Sequence, residues 1–194
     1  MTREAWLNRL TDKLRPLFIA AGAPLPPKVR ISCGWPTRKP AADAKGVRAL
    51  GQCFSRAASA AGINEVFVSP VVADAQNAAA ILVHELVHAA DDCANGHGAA
   101  FKRIATAVGL AGPMRSTTAG PELENRLNAL IAELGPYPHA RLDYNKDRKK
   151  QTTRMLKLVC PECGYTVRTT RQWIEQGLPT CPCGEEFTED GGAE

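Results

Sequence analysis

The sequence has no apolar run approaching the roughly 20 residues that a membrane span needs, so no membrane partner is expected. Its opening stretch, MTREAWLNRLTDKLRPLF, mixes charge with apolar residues and lacks the uninterrupted apolar core of a secretory signal. No internal repeat is present. Charge of one sign is not in large excess either, since the net charge of +4 is modest. It is unevenly spread, however: Arg141 to Arg171 holds nine Lys/Arg against Asp143, Asp147 and Glu162, which predicts a polyanionic partner for that part of the chain. With 44% hydrophobic and 23% charged residues, the composition is that of a soluble globular protein. A chain of 194 residues accommodates one ordinary domain plus a small appendage. The seven cysteines are odd in number, and four crowd into the last 35 residues as two close pairs. That layout suits metal thiolates in a reducing compartment better than disulfides. The expected setting is the cytoplasm, in association with the nucleoid if the source is bacterial or viral.

Periodicity predicts an α+β chain. Trp6, Leu7, Leu10, Leu14, Leu17 and Phe18 recur at three- and four-residue steps after a possible N-cap at Thr2, which gives a helix over residues 3–21. Alternation then predicts three short strands, Val29–Cys33, Leu50–Phe54 and Glu65–Val68, with PTRKPAADAKG as an exposed loop. ADAQNAAAILVHELVHAADDCANG reads as a central helix capped by Asp74 and stopped at Asn95-Gly96. Ile81, Leu82, Val83, Leu86 and Val87 lie on most of its faces, so it is expected to be buried. A short helix follows at Ala99–Ala107, and a further one opens at Pro121 and runs to Gly135. The domain limits are set at 1–142 for the first unit, 143–153 for a basic linker without aliphatic residues, and 154–190 for a second unit. The second unit has too few large apolar residues to fold without a staple. The tail EDGGAE is expected to be disordered.

Histidine is scarce, and three of the four fall within His84 to Gly98. On a helix, residues i and i+4 project from one face about 6 Å apart, so His84 and His88 can share one zinc ion. Glu85 lies beside the first ligand, where a carboxylate can take a proton from water and pass it to a leaving amine. A catalytic zinc uses three protein ligands. His97 is the candidate third ligand, because a residue beyond the turn converges on the ion more easily than one continuing along the rod; Asp91 and Asp92 are its rivals. The bland alternative is a core helix with three imidazoles, each of which would need its own hydrogen-bond partners. Tyr137 and His139 can be imagined as oxyanion donors, but packing of the helix end is their more ordinary role.

CPECG and CPCG are turns in which backbone N–H groups can face thiolates. Cys160, Cys163, Cys181 and Cys183 are therefore read as a closed, structural four-thiolate zinc site. Cys33, Cys53 and Cys93 are read as buried, inert thiols. Arg148, Lys149, Lys150, Arg154, Lys157, Arg168 and Arg171, with Tyr165 and Trp173 interleaved, suit phosphate contact plus base stacking. The expectation is DNA held without sequence preference, single-stranded DNA included; a solvated basic face is the alternative.

HELVH, the later HG and then FKRIA resemble the SprT-like zinc metallopeptidases. To that family belong the Spartan proteases, which degrade proteins crosslinked to DNA. The resemblance extends to a C-terminal zinc ribbon, and so runs in order of parts from Val29 to Phe187. It implies a minimal zincin-like domain followed by the ribbon, with His84, His88 and His97 as ligands, Glu85 as the catalytic carboxylate, and Phe101 packed behind the site. Two features depart from the family pattern: only eight residues separate His88 from His97, and the second cysteine pair is C-x-C. Met114, in GPMRS, is a weak candidate for a methionine turn beneath the metal. The function expected is a zinc endopeptidase with one catalytic and one structural zinc, acting on DNA-associated or DNA-crosslinked protein. The alternatives are a non-proteolytic nucleic-acid-binding accessory protein with structural zinc, and a hydrolase of a non-protein amide.

Overall fold

The computed structural model describes residues 1–36, 49–143, 146 and 155–189, and the chain divides into two compact units, Met1–Asp143 and Tyr144–Glu194. The architecture is mixed α+β, with five α-helices and eight short strands in three small sheets among the described residues. None of these helices is long and apolar enough to cross a membrane.

Unit 1 holds four of the helices and two of the sheets. Helix α1 (Arg3–Ala20) is capped by Thr2, whose hydroxyl accepts from the Ala5 N–H, and buries Trp6, Leu7, Leu10, Leu14 and Phe18 on one face. The first sheet comprises β1 (Val29–Cys33), β2 (Gly51–Phe54) and β3 (Asn64–Val68) in the order β1-β3-β2, parallel between β1 and β3 and antiparallel between β2 and β3. Alternation along β3 buries Asn64, Val66 and Val68, which face the helical layer. Apart from Pro36, the proline-rich loop expected between β1 and β2 lies outside the described residues.

Helix α2 (Ala75–Ala90) begins at Asp74, whose carboxylate accepts from the Asn77 N–H. Leu82, Val83, Leu86 and Val87 are all fully buried, as expected of a helix that passes through a domain. It ends earlier than the sequence predicts. The stop is not Asn95-Gly96 but a left-handed turn at Asp92 (φ 53°) and Cys93 (φ 60°). There the Cys93 N–H bonds to the His88 carbonyl and the Asp92 N–H to the Ala89 carbonyl, the paired pattern of a Schellman cap. Asp92 tolerates the positive φ usually left to glycine because its carboxylate is fastened, accepting from the Arg56 N–H (2.8 Å) and from Asn64 Nδ2 (2.8 Å).

Helix α3 (Ala99–Ala107) follows, and a small hairpin of β4 (Leu110–Ala111) and β5 (Thr118–Ala119), which the sequence reading missed, leads to α4 (Pro121–Leu134). The Trp6 indole donates to the Gly135 carbonyl (2.9 Å) and stacks near Tyr137, fastening the first helix to the end of the last.

Unit 2 contains β6 (Leu156–Val159), β7 (Thr166–Thr169), the single-turn helix α5 (Arg171–Ile174) and β8 (Thr188–Glu189), with sheet order β7-β6-β8. Among the described residues, its buried core is Leu158, Cys160, Cys181 and Phe187. Of the expected basic linker, only Asp143 and Lys146 are described, and of the tail only Glu189.

Candidate metal centres

Among the described residues, two groups of side chains could hold a metal ion, and they lie in different units. In unit 1, α2 presents His84 and His88 from one face. The early end of that helix lets the chain double back, so that His97, just before α3, reaches the same point. The His97 Nε2 stands 3.2 Å from the Nε2 atoms of both His84 and His88. Nitrogens bound about 2.0–2.1 Å from a tetrahedral zinc stand about 3.3 Å from one another, so the three imidazoles fit such an ion. Phe101, fully buried, supports all three rings, with centroids 5.0, 4.4 and 4.9 Å from those of His84, His88 and His97.

Burial, and then the neighbouring His97, push His84 down to about 4, which keeps it in the neutral form a metal ligand requires. Its Nδ1 lies 2.8 Å from the Thr117 hydroxyl, a partner with no signature in the sequence because 33 residues separate the two. Neither rival aspartate joins the group. Asp92 is engaged by Arg56 and Asn64, and Asp91 accepts from Asn95.

Glu85 is buried on α2, only 6% exposed, against strand β2. The approach is so close that a Cβ on Gly51 would lie 2.5 Å from Glu85 Oε1 and 2.8 Å from Ile81 Cγ2, so only glycine fits at that point of the strand. Sequence reasoning missed Gly51, although a glycine within the predicted strand Leu50–Phe54 is a hint of close backbone approach. Met114 is partly buried and packs against the main core. Tyr137 is buried beside Trp6, and His139 sits between Arg3 and the Pro70 carbonyl; both contacts belong to the packing of the helix end.

The three other cysteines are half-buried rather than sequestered. The Cys53 thiol hydrogen-bonds with Cys93, which raises Cys53 and lowers Cys93.

In unit 2, Cys160 and Cys163 come from the turn after β6, and Cys181 and Cys183 from the turn before β8. Sγ–Sγ distances are 3.4 Å for Cys160–Cys183 and 3.5 Å for Cys163–Cys181, near the roughly 3.8 Å edge of a tetrahedral zinc–thiolate site. The N–H groups of Cys163 and Glu162 point at the Cys160 sulfur and, with the Cys183 thiol, hold it down to about 7. The N–H of Tyr165 faces Cys163 and that of Cys183 faces Cys181, but burial and hydrogen bonds with the neighbouring thiols leave both of these raised, Cys181 to about 12. The backbone donors favour thiolate, the form that binds metal, at Cys160.

On β6 and β7, Lys157 and Arg168 face each other across the ladder and are exposed, as are Tyr165 and Trp173. Arg171 is committed elsewhere, to a two-pronged contact with Glu189. Arg148, Lys149, Lys150 and Arg154 lie outside the described residues.

The chain was compared with protein-family models, with curated proteins and with solved structures, and it matches none of them.

Proposed function

We propose that this chain is a zinc-dependent endopeptidase of SprT-like type whose second unit is a nucleic-acid-binding zinc ribbon. The observation that carries the reading is the convergence at zinc-ligand spacing of His84 and His88, on a helix that also presents the buried carboxylate of Glu85, with His97 from beyond its end. Three imidazole ligands would leave a tetrahedral ion one position short, which separates a catalytic centre from a closed structural one. A zinc ion held there would supply Lewis acidity, polarising a peptide carbonyl and making water more acidic.

The rest of the chemistry falls to the chain's own residues. Glu85 accepts a proton from the attacking water and delivers it to the leaving amine. Packed against Gly51, its carboxylate has little freedom to turn away. Strand β2 is paired on one side only among the described residues, so its other edge can bind an extended peptide through main-chain hydrogen bonds beside Glu85. That mode of binding tolerates many sequences, as a protease acting on varied DNA-bound proteins requires. The cross-strand Lys157 and Arg168, with Tyr165 and Trp173, give the second unit cations for phosphate and rings for base stacking.

The test is hydrolysis of a DNA-binding protein by the full chain, with and without single-stranded DNA, beside Glu85→Gln. Cleavage by the parent, reduced about 10²-fold or more in the variant with both metals retained, is the expected result. Equal inertness of the two on every protein offered, with DNA binding intact, would instead make this an accessory protein with structural zinc.

A further inference from the structure

We propose that Thr117 is a positioning residue for the three-histidine centre, fixing His84 so that its Nε2 lone pair points at the metal. The inference rests on reading His84, His88 and His97 as a metal site and goes beyond it by assigning a residue outside the motif. The hydroxyl Oγ1 of Thr117 lies 2.8 Å from His84 Nδ1. An imidazole that binds metal through Nε2 must carry its proton on Nδ1, so the ring donates and Thr117 accepts. Such a partner fixes both the tautomer and the plane of the ring.

The fold places Thr117 with little latitude. It immediately precedes β5, where Thr118 is exposed while Ala119 packs against the core; by the alternation of an extended chain, Thr117 shares the inward side with Ala119. The hairpin is pinned at its neck. The Gly120 N–H donates to the Gly109 carbonyl at 2.8 Å, and Leu110 and Ala111 pair with Ala119 and Thr118. Neither neck glycine has room for a side chain: a Cβ on Gly120 would lie 2.9 Å from the Gly109 oxygen, and one on Gly109 2.9 Å from Leu123 Cβ, at a φ of +90°. A turn closed by the Ser116 N–H and the Pro113 carbonyl completes the loop. The hairpin thus serves as a rigid bracket, which explains why a two-rung ladder follows α3 at all.

The experiment uses the full chain, Thr117→Val and Thr117→Ser. Cobalt titration reports the two sites separately, because thiolate ligands give an intense charge-transfer band that imidazole ligands do not. In the zinc-loaded protein, NMR follows solvent exchange of the His84 Nδ1 proton. The expected result for Thr117→Val is a 10- to 100-fold weaker histidine site and a fast-exchanging Nδ1 proton, with the cysteine site and the thermal midpoint of the metal-free first unit as in the parent. Thr117→Ser, which keeps the oxygen, restores both. Parent-like affinity in Thr117→Val, or a serine variant as weak as the valine one, overturns the inference. A parent that takes up metal at the cysteine site alone overturns the metal-centre reading and the inference with it, and that outcome is distinct because the defect then appears before any substitution is made.

Discussion

The Gly51 backbone and the Glu85 carboxylate meet so closely that a single carbon added to the glycine would sit 2.5 Å from Oε1. Gly51→Ala must therefore displace Glu85 or bend β2. The expected cost is about 1–3 kcal/mol in a urea titration, typical of overpacking, together with lost peptide hydrolysis and unchanged metal content. A variant that melts and turns over like the parent would show that the contact constrains nothing.

Acid should weaken the metal-free protein through His84. An unfolded imidazole takes its proton near pH 6.5, whereas the folded, buried one does so only near 4. Between those values the unfolded chain holds more protons, so stability falls as the pH is lowered through that window and is fully present above it. In chelator-treated samples the urea midpoint, followed by circular dichroism of the helices, is expected to fall from pH 6.5 to 4. In His84→Gln the slope should be shallower; an equal slope would place the titration elsewhere.

Chelation should separate the two units. Among its described residues unit 2 buries Leu158 and Phe187 besides two of its own cysteines, whereas a four-thiolate zinc contributes about 10 kcal/mol or more. Hydrogen exchange after metal removal is expected to show amides of residues 155–189 unprotected and the α1 and α2 amides still slow. Retained protection in β6 and β7 would mean that the strands hold without metal.

The cations of unit 2 are not equivalent. Arg168 is exposed opposite Lys157, while both terminal nitrogens of Arg171 are engaged by Glu189. Arg168→Ala should lower the salt dependence of single-stranded DNA binding by about one unit of slope, and Arg171→Ala by less. Equal effects, or the reverse order, would remove the β6–β7 face as the contact surface.

The residues that the sequence revealed are those whose partners lie one or two helical turns away, or that sit in a short paired turn. His84 and His88 were legible from the geometry of one helix, and each cysteine pair from its own turn. The end of α2 was not. An Asn-Gly pair looked like the stop, but the left-handed residue is Asp92, held by Arg56 and Asn64 from a different part of the chain. Thr117 and Gly51 were missed for a related reason. Their importance lies in a contact with α2 made from 33 or more positions away, which nothing in local composition marks for Thr117 and a glycine within a strand only hints at for Gly51. The same limit applied to Cys53 and Cys93, which look like isolated thiols in the sequence and are neighbours in space.

The clasp between Trp6 and Gly135 also bears on how the protein is made. A ribosome that has just released His97 has synthesised every proposed ligand of the first site, yet Thr117, Leu123, Leu127 and the acceptor for the Trp6 indole are still to come. The nascent chain at that moment has α1, the sheet and α2, but not the hairpin and the helix that complete the core around them. The packing that α4 gives to α1 and α2 therefore forms only once the whole first unit has been translated.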